Sequence, residues 1–190
     1  MMRIISGEFK GRKLKSVPGS GTRPTSDKIR ESIFNIIGPY FDGGMSLDLY
    51  GGSGALTIEG LSRGVDKAII IDADSKAVET INYNLQSLDL SNRAEVFRND
   101  SYRALKALRK RDTQFTYVFL DPPYKKQKIK KEIEFLMEYG LLERAAMIVC
   151  EHDAVLKLPE EIGTCYRLKH EQYNSTTAVT IYRNEIEGER

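Results

Sequence analysis

Phe115-Thr116-Tyr117-Val118-Phe119-Leu120-Asp121-Pro122-Pro123-Tyr124 is the stretch around which the rest of the chain falls into place. The apolar run at its start reads as a buried strand, and the residues after it cannot extend that strand. Proline locks φ and has no N–H, so Pro122-Pro123 breaks the ladder and leaves carbonyls pointing outward without matching donors. Asp121 adds a carboxylate acceptor. Tyr124 adds an aromatic face on which a base drawn out of its helix or loop can stack. Together they make a flat, rigid slot with acceptors at one end, suited to a planar base bearing an exocyclic amine. Such an amine is a poor nucleophile because its lone pair is delocalised into the ring. Acceptors on its hydrogens favour a pyramidal nitrogen and free the lone pair for in-line attack, so positioning and electrostatics supply most of the catalysis. Taken alone, the same four residues equally make a rigid turn with a structural Asp. Lys125, Lys126, Lys128, Lys130 and Lys131 follow at once, either as a solvated helix start or as phosphate contacts beside the slot.

Upstream, Asp48-Leu49-Tyr50-Gly51-Gly52-Ser53-Gly54 stands in the same place, at the end of another apolar strand. Its glycines let the backbone pass close to a ligand where Cβ atoms would collide. The spacing is not the dinucleotide pattern G-x-G-x-x-G, and no Lys-Ser/Thr pair makes it a P-loop. A glycine turn without a phosphate cradle suits a nucleoside whose charged part is small. Asp48 beside the glycines orients the loop or meets an ammonium group. Asp72 ends the next strand, where an acid accepts hydrogen bonds from ribose hydroxyls, and Asp74 reads as the N-cap of the helix that follows. Asp100 ends the strand after that, where it reaches an adenine amine or caps the next helix; the two roles are compatible.

Strand and helix alternate around these loops. Strands are predicted over 45–49, 67–71, 94–98, 115–120 and 146–151, and helices over 55–63, 74–88, 101–110 and 126–139. This alternation implies a parallel sheet with helices on both faces. In doubly wound sheets ligands sit at the carboxyl ends of the strands near the switch point, which is where both loops fall. The chain ends differently: 166–173 and 177–182 read as two strands joined by Asn174-Ser175-Thr176, an antiparallel hairpin. At the other end, residues 1–20 read as a small hairpin or extended arm with a hinge at Pro18-Gly19-Ser20-Gly21. A helix follows, capped by Thr25 or Ser26, with Ile29, Ile33, Ile36 and Ile37 as its apolar stripe; Arg23, Lys28, Arg30 and Glu31 lie on the polar side, free for other work. The divisions are thus an arm and helix over 1–40, a sheet domain over 41–184 and a frayed tail over 185–190.

Composition bounds the function. With 190 residues, 41% apolar and 29% charged, the chain is one ordinary globular unit. No apolar run approaches the roughly 18 residues of a membrane span, and the N-terminus lacks a signal-peptide apolar region. Cys150 and Cys165 have no metal-like spacing and His152 and His170 no zinc-like cluster, so a reduced cytoplasmic protein without metal is expected, as a monomer. The net charge of +2 is unevenly spread: residues 1–30 hold eight Lys/Arg against two acids, and the remainder 21 against 25. A basic arm on a slightly acidic body is either a solvated terminus or a phosphate-binding appendage.

Four stretches then carry a family resemblance: Arg3-Ile4-Ile5-Ser6-Gly7-Glu8-Phe9-Lys10-Gly11-Arg12, the run from Arg23-Pro24-Thr25 through Arg30-Glu31-Ser32-Ile33-Phe34-Asn35, the glycine loop from Asp48 to Leu56, and Asp121-Pro122-Pro123-Tyr124. The sequence resembles the class I S-adenosylmethionine-dependent methyltransferases. More closely, it resembles the bacterial 16S ribosomal RNA guanine-N2 methyltransferases of the RsmD type, from Arg3 to about Arg183. The two N-terminal stretches narrow the family; the other two occur in many amino-methyltransferases. The resemblance implies a Rossmann-like α/β fold, with a mostly parallel seven-stranded sheet, a C-terminal antiparallel hairpin and a small N-terminal β-arm and helix. It implies S-adenosylmethionine as cofactor and 16S rRNA, within the small subunit or its assembly intermediate, as partner. The target it implies is the N2 amine of one guanine, of the guanine 966 type. Carried onto this chain, Asp121, Pro122 and Tyr124 are the catalytic set, and Asp48, Gly52, Gly54, Asp72 and Asp100 hold the cofactor. Arg3, Arg12, Arg23, Thr25, Arg30, Lys125 and Lys126 face substrate or RNA. Gly51 stands for a usual alanine, Thr57 for a usual glycine, and Tyr173-Asn174-Ser175-Thr176-Thr177 for a Tyr-Gly-Asp-Thr-like turn, whose geometry is therefore not carried over.

Two other readings remain open at this point. Asp-Pro-Pro-Tyr also serves adenine amines, so a DNA adenine-N6 methyltransferase is one, although the chain has no room for a separate DNA-recognition domain. The other is a non-catalytic RNA-binding assembly factor that kept the fold, which the intact Asp121 and glycine loop argue against.

Overall fold

The computed structural model describes residues 2–19 and 25–185, apart from the side chain of Lys126. In chain order the elements are β1 (Met2–Arg3), β2 (Lys13–Leu14), α1 (Asp27–Ile37), β3 (Met45–Asp48), α2 (Ala55–Ser62), β4 (Lys67–Asp72), α3 (Ser75–Ser87), β5 (Ala94–Arg98), α4 (Ser101–Leu108), β6 (Phe115–Leu120), α5 (Ile129–Glu138), β7 (Leu142–Asp153), β8 (Glu161–Ile162), β9 (Cys165–Gln172) and β10 (Thr177–Asn184).

Side-chain alternation along the central strands explains the layers. In β4, Ile69 and Ile71 point to one core cluster while Ala68 and Ile70 point to another. In β6 and β7, Val118, Leu120, Ile148 and Cys150 join the first face, and Phe119 and Val149 the opposite one. Period-two alternation with both faces apolar is what a strand buried on both sides requires. The first face is covered by α4 and α5 through Leu105, Leu108, Ile129, Ile133 and Leu136. The other is covered by α2 and α3 through Ile58, Leu61, Ile81 and Leu85, and by α1 through Ile29, Ile33, Phe34 and Ile37. Each such side chain contributes about 1.5–3 kcal/mol on full burial, so these stripes hold the helices in place.

The main sheet runs β5-β4-β3-β6-β7-β10-β9-β8. Strands β5, β4, β3, β6 and β7 are parallel, and β10 is antiparallel to both β7 and β9. The fold is the expected Rossmann-like α/β arrangement with a C-terminal antiparallel hairpin, but the sheet has eight strands rather than seven. The added strand, β8, is two residues long and pairs with Cys165–Tyr166 through Ile162 and Glu161. Two residues leave no periodicity to read. Helix α5 also starts at Ile129 rather than at 126, because Tyr124–Lys126 forms a separate 3-10 turn after the two prolines.

At the N-terminus, β1 and β2 pair antiparallel, with Met2 opposite Leu14, as the expected hairpin. Met2, Ile4 and Leu14 pack with Ile58, Leu61 and Ile81, so the arm lies on α2 and α3. Glu59 is buried on α2 and accepts the Ile5 N–H through both carboxylate oxygens, at 2.9 and 3.1 Å. Ser62 accepts from Phe9 N and donates to the Ser6 carbonyl.

Candidate active site

The chain passes from β3 outward to β4 and β5, then returns to place β6 on the other side of β3. The switch point therefore lies between β3 and β6, and the two loops of interest leave these neighbouring strands at their carboxyl ends. A hydrogen bond from Leu49 N to the Phe119 carbonyl, 3.3 Å, joins the strands just before the loops begin.

The glycine loop is tied by its own backbone and by two acids. Gly52 and Gly54 have φ of 58° and 85°, the left-handed region that glycine occupies without strain. Gly51 N donates to the Ile71 carbonyl and Gly52 N to Asp72 Oδ2, both at 2.8 Å. A Cβ on Gly51 would meet Ile70 Cγ2 at 2.5 Å and Ile81 Cδ1 at 2.8 Å, so those side chains would have to shift to admit one. Asp48 is buried, accepting from Tyr50 N and from Thr57 Oγ1, each at 3.1 Å. Thr57 thus supplies a donor to the acid that orients the loop. Burial pushes the Asp48 carboxyl up to about 7, against those two hydrogen bonds and with a smaller push from the Asp72 charge. The loop also fits a bound nucleoside: no heavy atom lies within 4 Å of where a Cβ on Gly52 would stand.

Asp72 accepts from Gly52 N with one oxygen and from Asp74 N, 2.9 Å, with the other, leaving lone pairs for a ligand hydroxyl. Burial raises its pKa, opposed by these backbone bonds. Asp74 caps α3 through Lys76 N. Asp100 caps α4, accepting from Arg103 N at 2.9 Å, which is the helix-cap role foreseen for it beside the adenine contact.

A buried network beneath the loop was missed in the sequence. Glu132 on α5 is 3% exposed and accepts from Tyr50 of the glycine loop and from Ser101 of α4, the latter at 3.0 Å. Burial raises the Glu132 pKa against both donors. One carboxylate thus joins the glycine loop, the start of α4 and the helix after the target loop. The signal was present: a Glu adjoining the apolar stripe Ile129, Ile133, Leu136 is out of place unless it has partners inside.

At the end of β6, Pro122 is buried and Tyr124 is 40% exposed, its hydroxyl 3.0 Å from Thr177 Oγ1 at the start of β10. Asp121 sits beside Glu151 of β7, because Leu120 is in register with Cys150 on the adjacent parallel strand. Thr25, from the segment ahead of α1, donates to Glu151 Oε2 at 2.6 Å. Burial, then the charges of Glu151 and Asp48, raise the Asp121 pKa well above the carboxylate range; a hydrogen bond from Thr25 opposes them. Glu151 is raised by burial in turn, opposed by Thr25. Glu151 was not singled out in the sequence, where it looks like the polar end of an apolar strand.

The arginines divide. Arg30 was expected on the free polar side of α1 but is fully buried. It sits one residue after Ile29 on the flank of the helix that the arm covers, and donates to Asp27 Oδ1 at 3.0 Å and to the Arg3 carbonyl. Burial lowers its pKa despite nearby Glu59 and Asp27. Arg3 and Arg12 are exposed on the arm, Arg12 donating to the Ser87 carbonyl at 2.9 Å. Lys125 is exposed beside the target loop. Arg23 and the side chain of Lys126 lie outside the described residues, as does the tail beyond Glu185.

Comparison with known proteins places the chain in a family. A family model described as "Conserved hypothetical protein 95" matches residues 2–183. "Putative rRNA methyltransferase YlbH" of Bacillus subtilis (strain 168) is 53% identical over 182 residues, which cover 96% of this chain and 98% of the relative. "Ribosomal RNA small subunit methyltransferase D" of Escherichia coli (strain K12) is 33% identical over 188 residues, covering 99% of this chain and 92% of the relative. The solved structure of "Putative methyltransferase yhhF from Escherichia coli" superposes with a TM-score of 0.82 at 30% identity, over 98% of this chain and 99% of that one. With its arm, glycine loop and target loop all inside the matched span, the chain belongs to the Conserved hypothetical protein 95 family, that of the ribosomal RNA small subunit methyltransferase D proteins.

Proposed function

We propose that this chain, by family an S-adenosylmethionine-dependent rRNA methyltransferase, methylates the exocyclic N2 of one guanine of the guanine 966 type in 16S rRNA. The observation that carries the reading is the meeting of Asp121-Pro122 with the glycine loop across the switch point between β6 and β3. S-adenosylmethionine, when bound, supplies an electrophilic methyl group on a sulfonium. Gly52 and Gly54 keep the loop low enough to admit it, Asp72 offers its remaining lone pairs to ribose hydroxyls, and Asp48 holds the loop's shape. Asp100 and Ser101, at the start of α4, border the adenine. Asp121 and the Pro122 carbonyl accept the amine hydrogens and aim the nitrogen; Tyr124 stacks on the base.

Arg3, Arg12, Arg23, Lys125 and Lys126 serve as RNA contacts in this reading, with the arm and helix over 1–40 acting as RNA-binding part and cofactor lid on the catalytic domain over 41–184. Thr25 belongs to the site itself. Arg30 contributes from inside, by fixing the arm to α1. The protein acts as a cytoplasmic monomer on the small subunit or its assembly intermediate. Among the described residues no helix is long and apolar enough to cross a membrane.

The test is transfer of labelled methyl to small subunits that lack their modifications, followed by nuclease digestion and mass spectrometry. N2-methylguanosine at one position is expected. Label in duplex DNA instead would favour adenine-N6 chemistry, and no transfer to any nucleic acid would favour a binding factor.

A further inference from the structure

Asp121, just past the end of β6, and Glu151, near the end of the adjacent parallel β7, present two carboxyls side by side, and the hydroxyl of Thr25 reaches them from a segment 126 positions from Glu151 in sequence. Glu151 is 8% exposed. Among the described residues the groups facing the pair are Asp48 from β3, Tyr124 from the target loop and Tyr173 from the β9–β10 turn. Among the described residues the charges acting on Asp121 are those of Glu151 and Asp48, both acidic. Two carboxyls so placed resist ionising together; the first proton they bind is held in common and they titrate as a unit.

We propose that Glu151 is a positioning residue for the transfer step, the proton-sharing partner of Asp121: the two carboxyls, ionised in the working form, take up as a unit the proton that the target amine releases and hold it between them. This rests on the reading of Asp121 as the amine's acceptor. The balance is closed. The bond between N2 and the methyl carbon forms as the methyl–sulfur bond breaks, with that bond's electron pair staying on sulfur. The nitrogen, cationic after attack, gives one proton to the pair, which passes from doubly ionised to singly protonated. The pair returns to its starting state by losing one proton to water. Thr25 stabilises the charged form by donating to Glu151, and because it comes from the segment leading into α1 it links the N-terminal part of the chain to the protonation of the site.

The experiment is the pH dependence of single-turnover methyl transfer to unmodified small subunits by the full chain, with S-adenosylmethionine binding by calorimetry alongside. Wild type is expected to lose activity on the acid side, with a limb above the ordinary carboxylate range. In Glu151→Gln, Asp121 loses its like-charged neighbour, so that limb moves to lower pH by about one unit or more and the plateau rate falls about tenfold, the weaker base being the poorer acceptor. In Thr25→Val the charged form loses a donor, and the limb moves to higher pH. Cofactor affinity stays within about twofold in both. Opposite displacements by two contacting residues are not what a merely structural role produces. Profiles unchanged in both variants, with Asp121→Asn inactive, would overturn the role of Glu151 and leave the site reading intact. Wild-type rates in Asp121→Asn would overturn both.

Discussion

The cofactor loop after β3 and the target loop after β6 leave neighbouring parallel strands, yet their restraints come from different distances along the chain. The first is held mostly from within about twenty-five residues: Asp48 on Tyr50 and Thr57, Asp72 on Gly52, the Ile71 carbonyl on Gly51. The second is held by residues far away in sequence: Tyr124 by Thr177, and the Asp121–Glu151 pair by Thr25. A cofactor of constant shape suits a loop fixed by its own strand-turn-helix unit. A base that must enter and leave suits a slot whose walls come from distant segments, the residues ahead of α1 and the C-terminal hairpin. Longer ties add to these: Asn84 donates to the Ser53 carbonyl of the cofactor loop, Ser53 Oγ donates to Met2 Sδ of the arm, and Glu132 ties Tyr50 to the helix that follows the target loop.

The sharpest way to separate the loops is Asp121→Ala. It is expected to cut single-turnover transfer about 100-fold or more while leaving S-adenosylmethionine affinity within a few-fold, because acceptors positioned for the transition state act on rate rather than on cofactor binding. Equal loss of affinity in calorimetry would show that the loops are one energetic unit.

The cofactor loop should reveal itself in pH-dependent stability. Asp48 is raised to about 7, so between the ordinary carboxylate range and that value the folded state binds more protons than the unfolded one, and stability falls as pH rises through this window. Asp72, Asp121, Glu132 and Glu151 are raised too and act with the same sign. Denaturant melts at pH 5 and pH 7.5 should show the protein less stable at the higher pH, and Asp48→Asn should reduce that difference by on the order of 2 kcal/mol. A rise in stability over the same window would contradict the buried geometry.

Gly51→Ala puts a methyl against Ile70 and Ile81, and about 1–3 kcal/mol of stability should be lost to overpacking. Cofactor affinity should weaken with it, which thermal melts with and without S-adenosylmethionine would resolve. Tyr50→Phe removes one donor from the buried Glu132 and should cost about 1–2 kcal/mol in the same melts. Smallest of all, Tyr124→Phe keeps the stacking face and loses only the tether to Thr177. Transfer rates within about threefold of wild type are expected, on the small net worth of one partly exposed hydrogen bond. A large loss would assign the hydroxyl a part in the chemistry.

Most of the cofactor side was legible because its signals are local. Glycines at positive φ, an acid at the end of each of two strands, and apolar runs between them leave their pattern within a few residues. The target tetrapeptide was legible for the same reason. Arg30 was misplaced because helical periodicity marks the apolar stripe of α1 but not the arm that lies over its flank. Glu151 and Glu132 were passed over because a carboxylate at a strand end or helix start is commonplace; only burial and partners distinguish them. Thr25 was read as a cap or a substrate contact, and Ser26 turned out to cap α1 while Thr25 turned inward to Glu151.

Read from residues alone, the chain already carried its alternation of strands and helices, the two loops at the carboxyl ends of the sheet and the chemistry they suit, because hydrophobic period, glycine and proline act over a few residues. Tertiary structure decided the rest: which strands adjoin across the switch point, that Asp121 has a carboxyl neighbour, that one Glu ties two loops and a helix together, and that an arginine of the first helix lies inside. These depend on register between strands and on packing between distant segments, where the energy of a side chain is set by what surrounds it rather than by what precedes it.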